Sequence, residues 1–180
     1  MFHVTERLLL RPAWPEDARE LFAGIADKRV VRNLARAPWP YSFKHARDFV
    51  MRTHDPRYPV FLITMPGNKG SHLIGCVGID RSDSADVELG YWIAQPFWGR
   101  GFASEAARGA LEVARLLGYE RVEAGHFTDN PASGRVLRKV GFRPTGKVED
   151  RHSCGRDGKA PCALYRMDLS EAAEAPLQAA

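Results

Sequence analysis

The sequence predicts a single α/β domain in which a mixed, mostly antiparallel sheet carries helices on both faces. Segments with alternating apolar residues interleave along the chain with segments whose apolar residues recur at helical spacing. The chain also has 180 residues, 44% hydrophobic and 27% charged. That length and balance suit one globular domain with its own core, which we expect to span residues 1–170.

The first half of the chain is predicted to contain a strand, two helices and a hairpin. Proline at position 12 ends the first strand, and Pro15 suits the first turn of the helix that follows. The region 27–58 is irregular apart from one predicted helix, and it is rich in arginine, proline and aromatic residues. The predicted elements are a strand at 8–10, a helix starting at 14–17 with residues 18, 21, 22 and 25 on one face, a helix at 44–52, and strands at 60–65 and 73–79 around a turn at 66–70.

The second half is predicted to alternate strands and helices before a final hairpin. The strand at 87–93 alternates strictly, so that Glu88, Gly90 and Trp92 share the face opposite its four apolar residues. The glycine inside this strand is consistent with a bulge at Gly90, and a plain packed strand is the alternative. The other predicted elements are an alanine-rich helix from 103 to 117 ended by Gly118, a strand at 121–127, a helix from 130 to 140 ended by Gly141, and a hairpin at 147–169 turning near 155–158.

Composition narrows the class of protein. The net charge of +4 suits an anionic ligand, but the basic residues are scattered, which disfavours direct binding of nucleic acid. We expect a cytoplasmic protein, since residues 1–7 lack a secretion signal and no apolar run could cross a membrane. The three cysteines, Cys76, Cys154 and Cys162, form no CxxC pair, so we expect neither disulfides nor a metal site. The tail at 171–180 has no core to join, and we expect it to be disordered.

The most informative motif is the glycine turn at 98–103 (WGRGFA), between a predicted strand and a predicted helix. Glycines let a backbone approach a ligand, and the first amides of a helix are unpaired and favour an anion. The turn lacks the P-loop pattern, and its spacing from the strand fails the dinucleotide-binding pattern. A plain tight turn whose helix is capped by Ser104 is an alternative. A third interpretation is a site for an acyl-coenzyme A.

Two segments and the opening strand together resemble the GCN5-related N-acetyltransferase (GNAT) family. The segments are 95–106 (QPFWGRGFASEA), similar to the family's diphosphate-binding segment, and 130–142, which runs from NPAS to KVGF. Trp98 stands where that pattern has Arg or Gln, as in the branch of ribosomal-protein N-terminal acetyltransferases of the Rim type. Residues 5–12 (TERLLLRP) also resemble that branch, and the likeness extends over about residues 4–169.

The resemblance implies an acetyl-CoA site. The amides of residues 100–104 would bind the diphosphate, as the physics of a helix N-terminus also favours. The strand before the turn would part from its neighbour, and the pantetheine arm would pair with backbone near Trp92, Ile93 and Gln95. The complete set of cofactor-binding residues that we expect is Trp92, Ile93, Gln95, Gly99, Arg100, Gly101, Phe102, Ala103, Ser104 and Asn130.

Acetyl transfer requires a neutral amine and a stabilised leaving thiolate. Glu88 is the expected base, with His126 as a second candidate. The resemblance implies that Ser133 acts near the thiolate, as proposed for the Rim-type branch, since Leu137 replaces the tyrosine that many family members use there. Asn130 or Ser133 would also cap the helix. Cys76, within a strand, is expected in the core, which disfavours a covalent acyl-enzyme.

The acceptor is open between a protein N-terminus and a small-molecule amine. Its site is expected between the region 27–58 and the last hairpin, with six candidate residues: Arg29, Arg32, Arg36, Trp39, Tyr41 and Tyr58. A CoA- or peptide-binding module without turnover is the alternative function, supported by Leu137. A dinucleotide oxidoreductase is disfavoured by its spacing. A homodimer is compatible with the sequence, which does not require one.

Overall fold

The computed structural model describes residues 1–67, 70–82 and 86–170. Its strands form one sheet in the order β1-β2-β3-β4-β5-β6-β8-β7, and the only parallel neighbours among them are β5 and β6. The fold is therefore the predicted α/β domain with a mostly antiparallel mixed sheet. The strands are β1 (His3–Val4), β2 (Leu9–Arg11), β3 (Val60–Gly67), β4 (Gly70–Arg81), β5 (Val87–Ile93), β6 (Arg121–Phe127), β7 (Arg143–Ser153) and β8 (Gly158–Asp168).

Helices cover both faces of the sheet, and each layer encloses its own apolar cluster. One face packs against α4 (Phe102–Leu116) and α5 (Pro131–Lys139), where the alanines of α4 allow close approach to β4 and β5. The other face packs against α1 (Ala18–Ile25), α2 (Lys28–Val31) and α3 (Phe43–Val50), around a smaller cluster. Within the described residues, no helix is long and apolar enough to cross a membrane.

Most of the predicted elements are confirmed, with small shifts at their ends. The hairpin turn near 155–158, the helix ends at Gly118 and Gly141, and the face assignment along 87–93 all agree with the structure. The local patterns missed three short pieces: β1, α2 and a 3₁₀ turn at Gln95–Phe97. The predicted turn at 66–70 lies partly outside the described residues, as does the tail at 171–180.

The sheet divides between β5 and β6, and this division forms the central feature of the fold. The two strands pair only at Val87 with Val122 and Glu88 with Glu123, and the ladder ends there although both strands continue. The predicted bulge at Gly90 is wrong, because β5 keeps an unbroken register with β4 from Val87 to Ile93. The gap therefore opens on the β6 side of a regular strand.

Candidate active site

The gap between β5 and β6 exposes hydrogen-bonding groups of the β5 backbone. The amide of Ala94 donates to the carbonyl of Ile74 (2.8 Å), which continues the β4 ladder beyond Ile93. Because successive residues of a strand point their amides to opposite sides, Trp92 faces β4, whereas Tyr91 and Ile93 face the gap. The gap therefore offers the backbone of Tyr91 and Ile93, while Trp92 contributes a ring that packs against Gly24 of α1.

The glycine turn joins the end of this gap to helix α4. Gly99 and Gly101 have φ of 76° and 81°, in the left-handed region where glycine is favoured. Gly101 is the N-cap of α4 and no side chain caps it, so the alternative in which Ser104 caps the helix is wrong; Ser104 is a buried residue of the first turn. The first intrahelical bond runs from the amide of Glu105 to the carbonyl of Gly101 (3.1 Å), so the three preceding amides lie ahead of the ladder and can meet an anion.

The neighbouring residues of the predicted cofactor set lie around the same turn. Gln95 is exposed and begins the short 3₁₀ turn that follows β5. The guanidinium of Arg100 lies 5.8 Å from the centroid of the Phe97 ring. Phe102 is buried in the larger core, so its contribution to a ligand would come from its backbone.

A brace from the first strands holds the glycine turn. The Glu105 carboxylate accepts from the Thr5 hydroxyl (2.6 Å) and from the amide and guanidinium of Arg7, and Arg7 also donates to the carbonyl of Arg100 (3.2 Å). Burial would raise the pKa of Glu105, but these hydrogen bonds outweigh it and lower that pKa below its ordinary value. The opening motif at 5–7 therefore reaches the turn directly.

Trp98, the residue that departs from the family pattern, closes the end of β5. Its indole N–H donates to the carbonyl of Ile93 (2.6 Å), one of the backbone groups that face the gap. This contact leaves the Ile93 amide directed to the gap. It also fixes the angle at which the chain leaves the strand and enters the turn.

Ser133 lies in the first turn of α5, on the α4–α5 side of the sheet. The side chain of Asn130 is the N-cap of this helix and accepts from the Ser133 amide (3.4 Å), so the capping role belongs to Asn130. The Ser133 hydroxyl lies 2.8 Å from the phenolic oxygen of Tyr91. Burial raises the pKa of Tyr91 to about 12, with the Ser133 contact acting in the opposite direction. Leu137, only 1% exposed, packs in the core.

Glu88 lies where the β5–β6 pairing ends and the gap begins, a point that we call the fork, and its side chain is on the α1–α3 side of the sheet. Its carboxylate is 29% exposed and pairs with Arg151, which reaches from β7 across β8 and β6. Gly125 lies beside this crossing: a Cβ there would make ordinary contact with the Arg151 guanidinium (3.6 Å) but would lie only 2.8 Å from the Cys162 sulfur. Glu88 and Ser133 therefore approach the gap from opposite faces, which suits an amine that attacks from one side while a thiolate leaves on the other.

His126, the second candidate base, lies on the Ser133 side. Its ring packs against Gly134 and Tyr165, and Nδ1 lies 2.9 Å from the carbonyl of Phe127. The structure thus separates His126 from Glu88 by the thickness of the sheet. Within the described part of the chain, no group of three or more His, Cys, Asp or Glu side chains is placed to hold a metal ion.

The six candidate acceptor residues do not form one wall. Tyr41 is buried in the smaller core, and Tyr58 packs on the α4 face against Tyr119. Arg36 pairs with Asp80, which is in register with Glu88, so it does border the fork. Trp39 is 40% exposed, and Arg29 pairs locally with Asp27.

The tip of the β7–β8 hairpin contacts the α2 region and the residue Asp129 that follows β6. Arg156 forms a two-pronged ion pair with Asp129 and donates to the carbonyl of Arg32 (2.6 Å), and Arg32 contacts the same Asp129 carboxylate. Gly155 lies so close to the Val31 backbone that a Cβ there would be 2.5 Å from the Val31 carbonyl oxygen. The region 27–58 and the last hairpin, between which the acceptor site is predicted, therefore contact each other at this tip.

Local patterns missed three residues of the site: Tyr91 and Arg151 at the gap, and Arg7 at the glycine turn. Tyr91 belonged to the apolar face of a strand, and Arg151 to an exposed hairpin. Only Arg7 lay in a segment that stood out, as part of the opening motif at 5–12.

Comparison with known proteins gives a consistent family. The model of the acetyltransferase (GNAT) domain matches residues 7–143. YoaA of Bacillus subtilis (strain 168), named an uncharacterized N-acetyltransferase, is 31% identical over 150 residues, which cover 79% of this chain and 82% of that protein. Among solved structures, the acetyltransferase of the GNAT family from Bacillus anthracis has a TM-score of 0.80 at 22% identity, covering 94% of this chain and 99% of that one. RimL, a ribosomal alpha-N-protein acetyltransferase in complex with coenzyme A, has a TM-score of 0.74 at 18% identity, covering 93% of this chain and 98% of that one.

Proposed function

The chain belongs to the GNAT family of acyl-CoA-dependent N-acetyltransferases, and on that premise we propose that it transfers the acetyl group of acetyl-CoA directly to a primary amine. The observation that carries this proposal is the gap between β5 and β6, which leads from the amides of the glycine turn to Glu88 and Ser133 on opposite faces. One continuous path would therefore join the proposed diphosphate site to the proposed base and thiolate partner.

The cofactor would follow this path from its diphosphate to its thioester. The amides of residues 100–104 would hold the diphosphate, helped by the helix dipole. The pantetheine amides would pair with the backbone of Tyr91 and Ile93, with Trp92 and Gln95 beside them. Asn130 would contact the cofactor through the part of its side chain that does not cap α5. This arrangement would deliver the thioester to the fork.

The amine would attack from the face of Glu88, directly or through a water molecule that passes its proton to the carboxylate. The amine nitrogen forms the new N–C bond, and the C–S bond breaks with its electron pair remaining on sulfur. Ser133 would donate a hydrogen bond to that thiolate. Both substrates would be bound together: Cys76 and Cys162 are buried, burial raises the pKa of Cys76 to about 12, and the exposed Cys154 lies in the turn of the β7–β8 hairpin.

The acceptor is proposed to be a protein N-terminus or a small-molecule amine. RimL, whose printed description is a ribosomal alpha-N-protein acetyltransferase, supports testing peptides first. The screen uses acetyl-CoA with peptides that begin with free Ser or Ala, and with aminoglycosides, and it follows thiol release. Tight CoA binding without release by any member of such a panel would favour the alternative, a binding module without turnover.

The proposed diphosphate site at the glycine turn, which we call the cradle, is tested by Gly101→Val, with Gly118→Val as the matched control. Both glycines flank α4 with nearly equal left-handed φ, 81° and 84°, so both variants carry similar strain of about 1–2 kcal/mol. Only Gly101 lies at the turn proposed to hold the diphosphate. We expect calorimetry to show acetyl-CoA binding lost in Gly101→Val and retained in Gly118→Val; equal affinities in the two variants would contradict the cradle.

A further inference from the structure

The contact between Tyr91 and Ser133 joins the gap-facing strand to the helix that carries the proposed thiolate partner. The Tyr91 phenolic oxygen lies 2.8 Å from the Ser133 hydroxyl oxygen and 3.3 Å from the Ser133 carbonyl. The two residues are 42 positions apart, so the contact depends on how α5 is placed by its packing on β6, α4 and β7. It lies on the face opposite Glu88.

The phenol is suited to act as a donor in this pair. Because burial raises the pKa of Tyr91 to about 12, the hydroxyl keeps its proton throughout the neutral range. A serine hydroxyl has one proton to donate and two sites that accept. When Tyr91 donates to the Ser133 oxygen, the single Ser133 proton is left free to point elsewhere.

We infer that Tyr91 is a positioning residue that, by donating to the Ser133 hydroxyl oxygen, directs the Ser133 proton to the sulfur of the departing coenzyme A thiolate. This inference rests on the proposed acetyltransferase function. In the step concerned, the C–S bond breaks with its electron pair on sulfur, and the amine proton passes to the base on the other face. Ser133 stabilises the thiolate by a hydrogen bond and keeps its own proton, so Tyr91 loses none.

The packing around Ser133 supports this assignment. Leu137, one turn further along α5, is 1% exposed in the core and presents no hydroxyl to the gap. Gly134 is covered by the His126 ring, since a Cβ there would lie 2.5 Å from Nε2. Tyr91 is thus the residue of the opposite strand that reaches the Ser133 side chain, and it holds the hydroxyl from the β5 side of the gap.

The test measures ionisation of the CoA thiol in its complex with the enzyme, and it requires no acceptor. Thiolate absorbance is followed against pH with the enzyme in excess, and the absorbance of the complex with desulfo-CoA is subtracted to cancel the protein's own thiols. A hydrogen bond to a charged sulfur should raise the ionisation constant of the bound thiol about tenfold in the wild type over Ser133→Ala. We expect Tyr91→Phe to lose most of that tenfold difference.

A double variant and a matched control separate positioning from a structural effect. Tyr91→Phe should add nothing in the Ser133→Ala background, because its action passes through Ser133. Tyr165→Phe removes another buried phenolic hydroxyl on the same face, one that accepts from Arg138, and should match the wild type. Calorimetric CoA affinity should be equal in all variants. Ser133→Thr retains a hydroxyl, so the ionisation constant of the bound CoA thiol should stay at the wild-type value in this variant when Tyr91 is present and should fall when Tyr91 is replaced by phenylalanine.

The outcomes distinguish this inference from the proposed function. Failure of the wild type to bind CoA would overturn both. Normal CoA binding with the same thiol ionisation in the wild type, Tyr91→Phe and Ser133→Ala would overturn the inference alone. Independent, multiplying effects of the two substitutions would also overturn it, because Tyr91 would then act on sulfur without Ser133.

Discussion

At the scale of single residues, the fork distinguishes two carboxylates that occupy adjacent, paired positions. Glu88 and Glu123 form the last pair of the β5–β6 ladder and share one face of the sheet. Glu88 pairs with Arg151, whereas Glu123 contacts Ser82 and Arg166. Arg151 donates to Oε1 of the Glu88 carboxylate, so in the proposed reaction the proton would pass to the second oxygen, Oε2, with the Arg151 contact kept.

Glu88→Gln should lower kcat by about a hundredfold or more, the usual contribution of a general base. The amide keeps the size of the side chain, so acetyl-CoA affinity should change less than twofold. Steady-state kinetics with an acceptor from the screen, together with calorimetry, measure the two effects. Glu123→Gln is the control, and it should turn over like the wild type. Unchanged kcat in Glu88→Gln would remove Glu88 from the mechanism.

At the scale of elements, the brace formed by residues 5–7, which we call the strap from here on, connects the edge of the sheet to the N-terminus of α4. The Arg7 guanidinium lies 4.6 Å from the centroid of the Phe102 ring and pairs with Glu105, while it donates to the carbonyl of Arg100. The Arg7 side chain therefore contacts residues at positions 100, 102 and 105, which lie in the glycine turn and the first turn of α4. The strap should keep the amides of the turn aimed at one point before the cofactor binds.

Arg7→Ala should weaken acetyl-CoA binding about threefold to fivefold, a modest effect because Arg7 is partly exposed. The expected cause is loss of preorganisation in the turn, so kcat at saturating acetyl-CoA should change little. Titration calorimetry gives the affinity, and saturation kinetics give kcat. Arg108→Ala, at an exposed position of the same helix, serves as control. An affinity equal to that of the control would show that the strap does not support the turn.

At the scale of the whole molecule, the two cores bury groups that resist ionisation. Burial raises the pKa of Tyr41 and of Cys76 to about 12, both within the smaller cluster, and raises that of Tyr91 to about 12 in the larger one. In the unfolded chain these groups lose their protons near pH 10 for tyrosine and pH 9 for cysteine. The native state therefore binds more protons than the unfolded state in the alkaline range, and stability must fall there.

The contribution of these three groups to the free energy of unfolding should be complete below about pH 9, and the free energy should decline from there toward pH 12. Each group adds at most about 1.4 kcal/mol per pH unit to the slope. Tyr41→Phe should reduce the decline between pH 10 and pH 12 and leave the curve parallel to the wild type below pH 9. Urea unfolding at a series of pH values measures this difference. Equal slopes above pH 10 would show that Tyr41 ionises as freely in the fold as outside it.

The sequence by itself determined the order of the elements, the face of β5 that enters the core and the glycine turn before α4. These features depend on residues close to one another in the chain: alternation, helical spacing, and glycines that permit a left-handed backbone. The same local information supported Glu88 as a candidate, whereas Ser133 was implied by the resemblance to the Rim-type branch. The local information wrongly allowed a bulge at Gly90, because a lone glycine in a strand carries the same signal whether the backbone bulges or only leaves space beside it.

The resemblance implied that the strand before the glycine turn parts from a neighbour; only the tertiary structure decided at which residues the pairing ends and which side chains meet there. The contacts of Arg151 with Glu88 and of Tyr91 with Ser133 join residues 63 and 42 positions apart, on strands and a helix brought together by the sheet order. The partition of Glu88 and Ser133 between opposite faces has the same origin. Such contacts depend on register between distant strands, and register is fixed by packing of the whole core and not by any short stretch of chain.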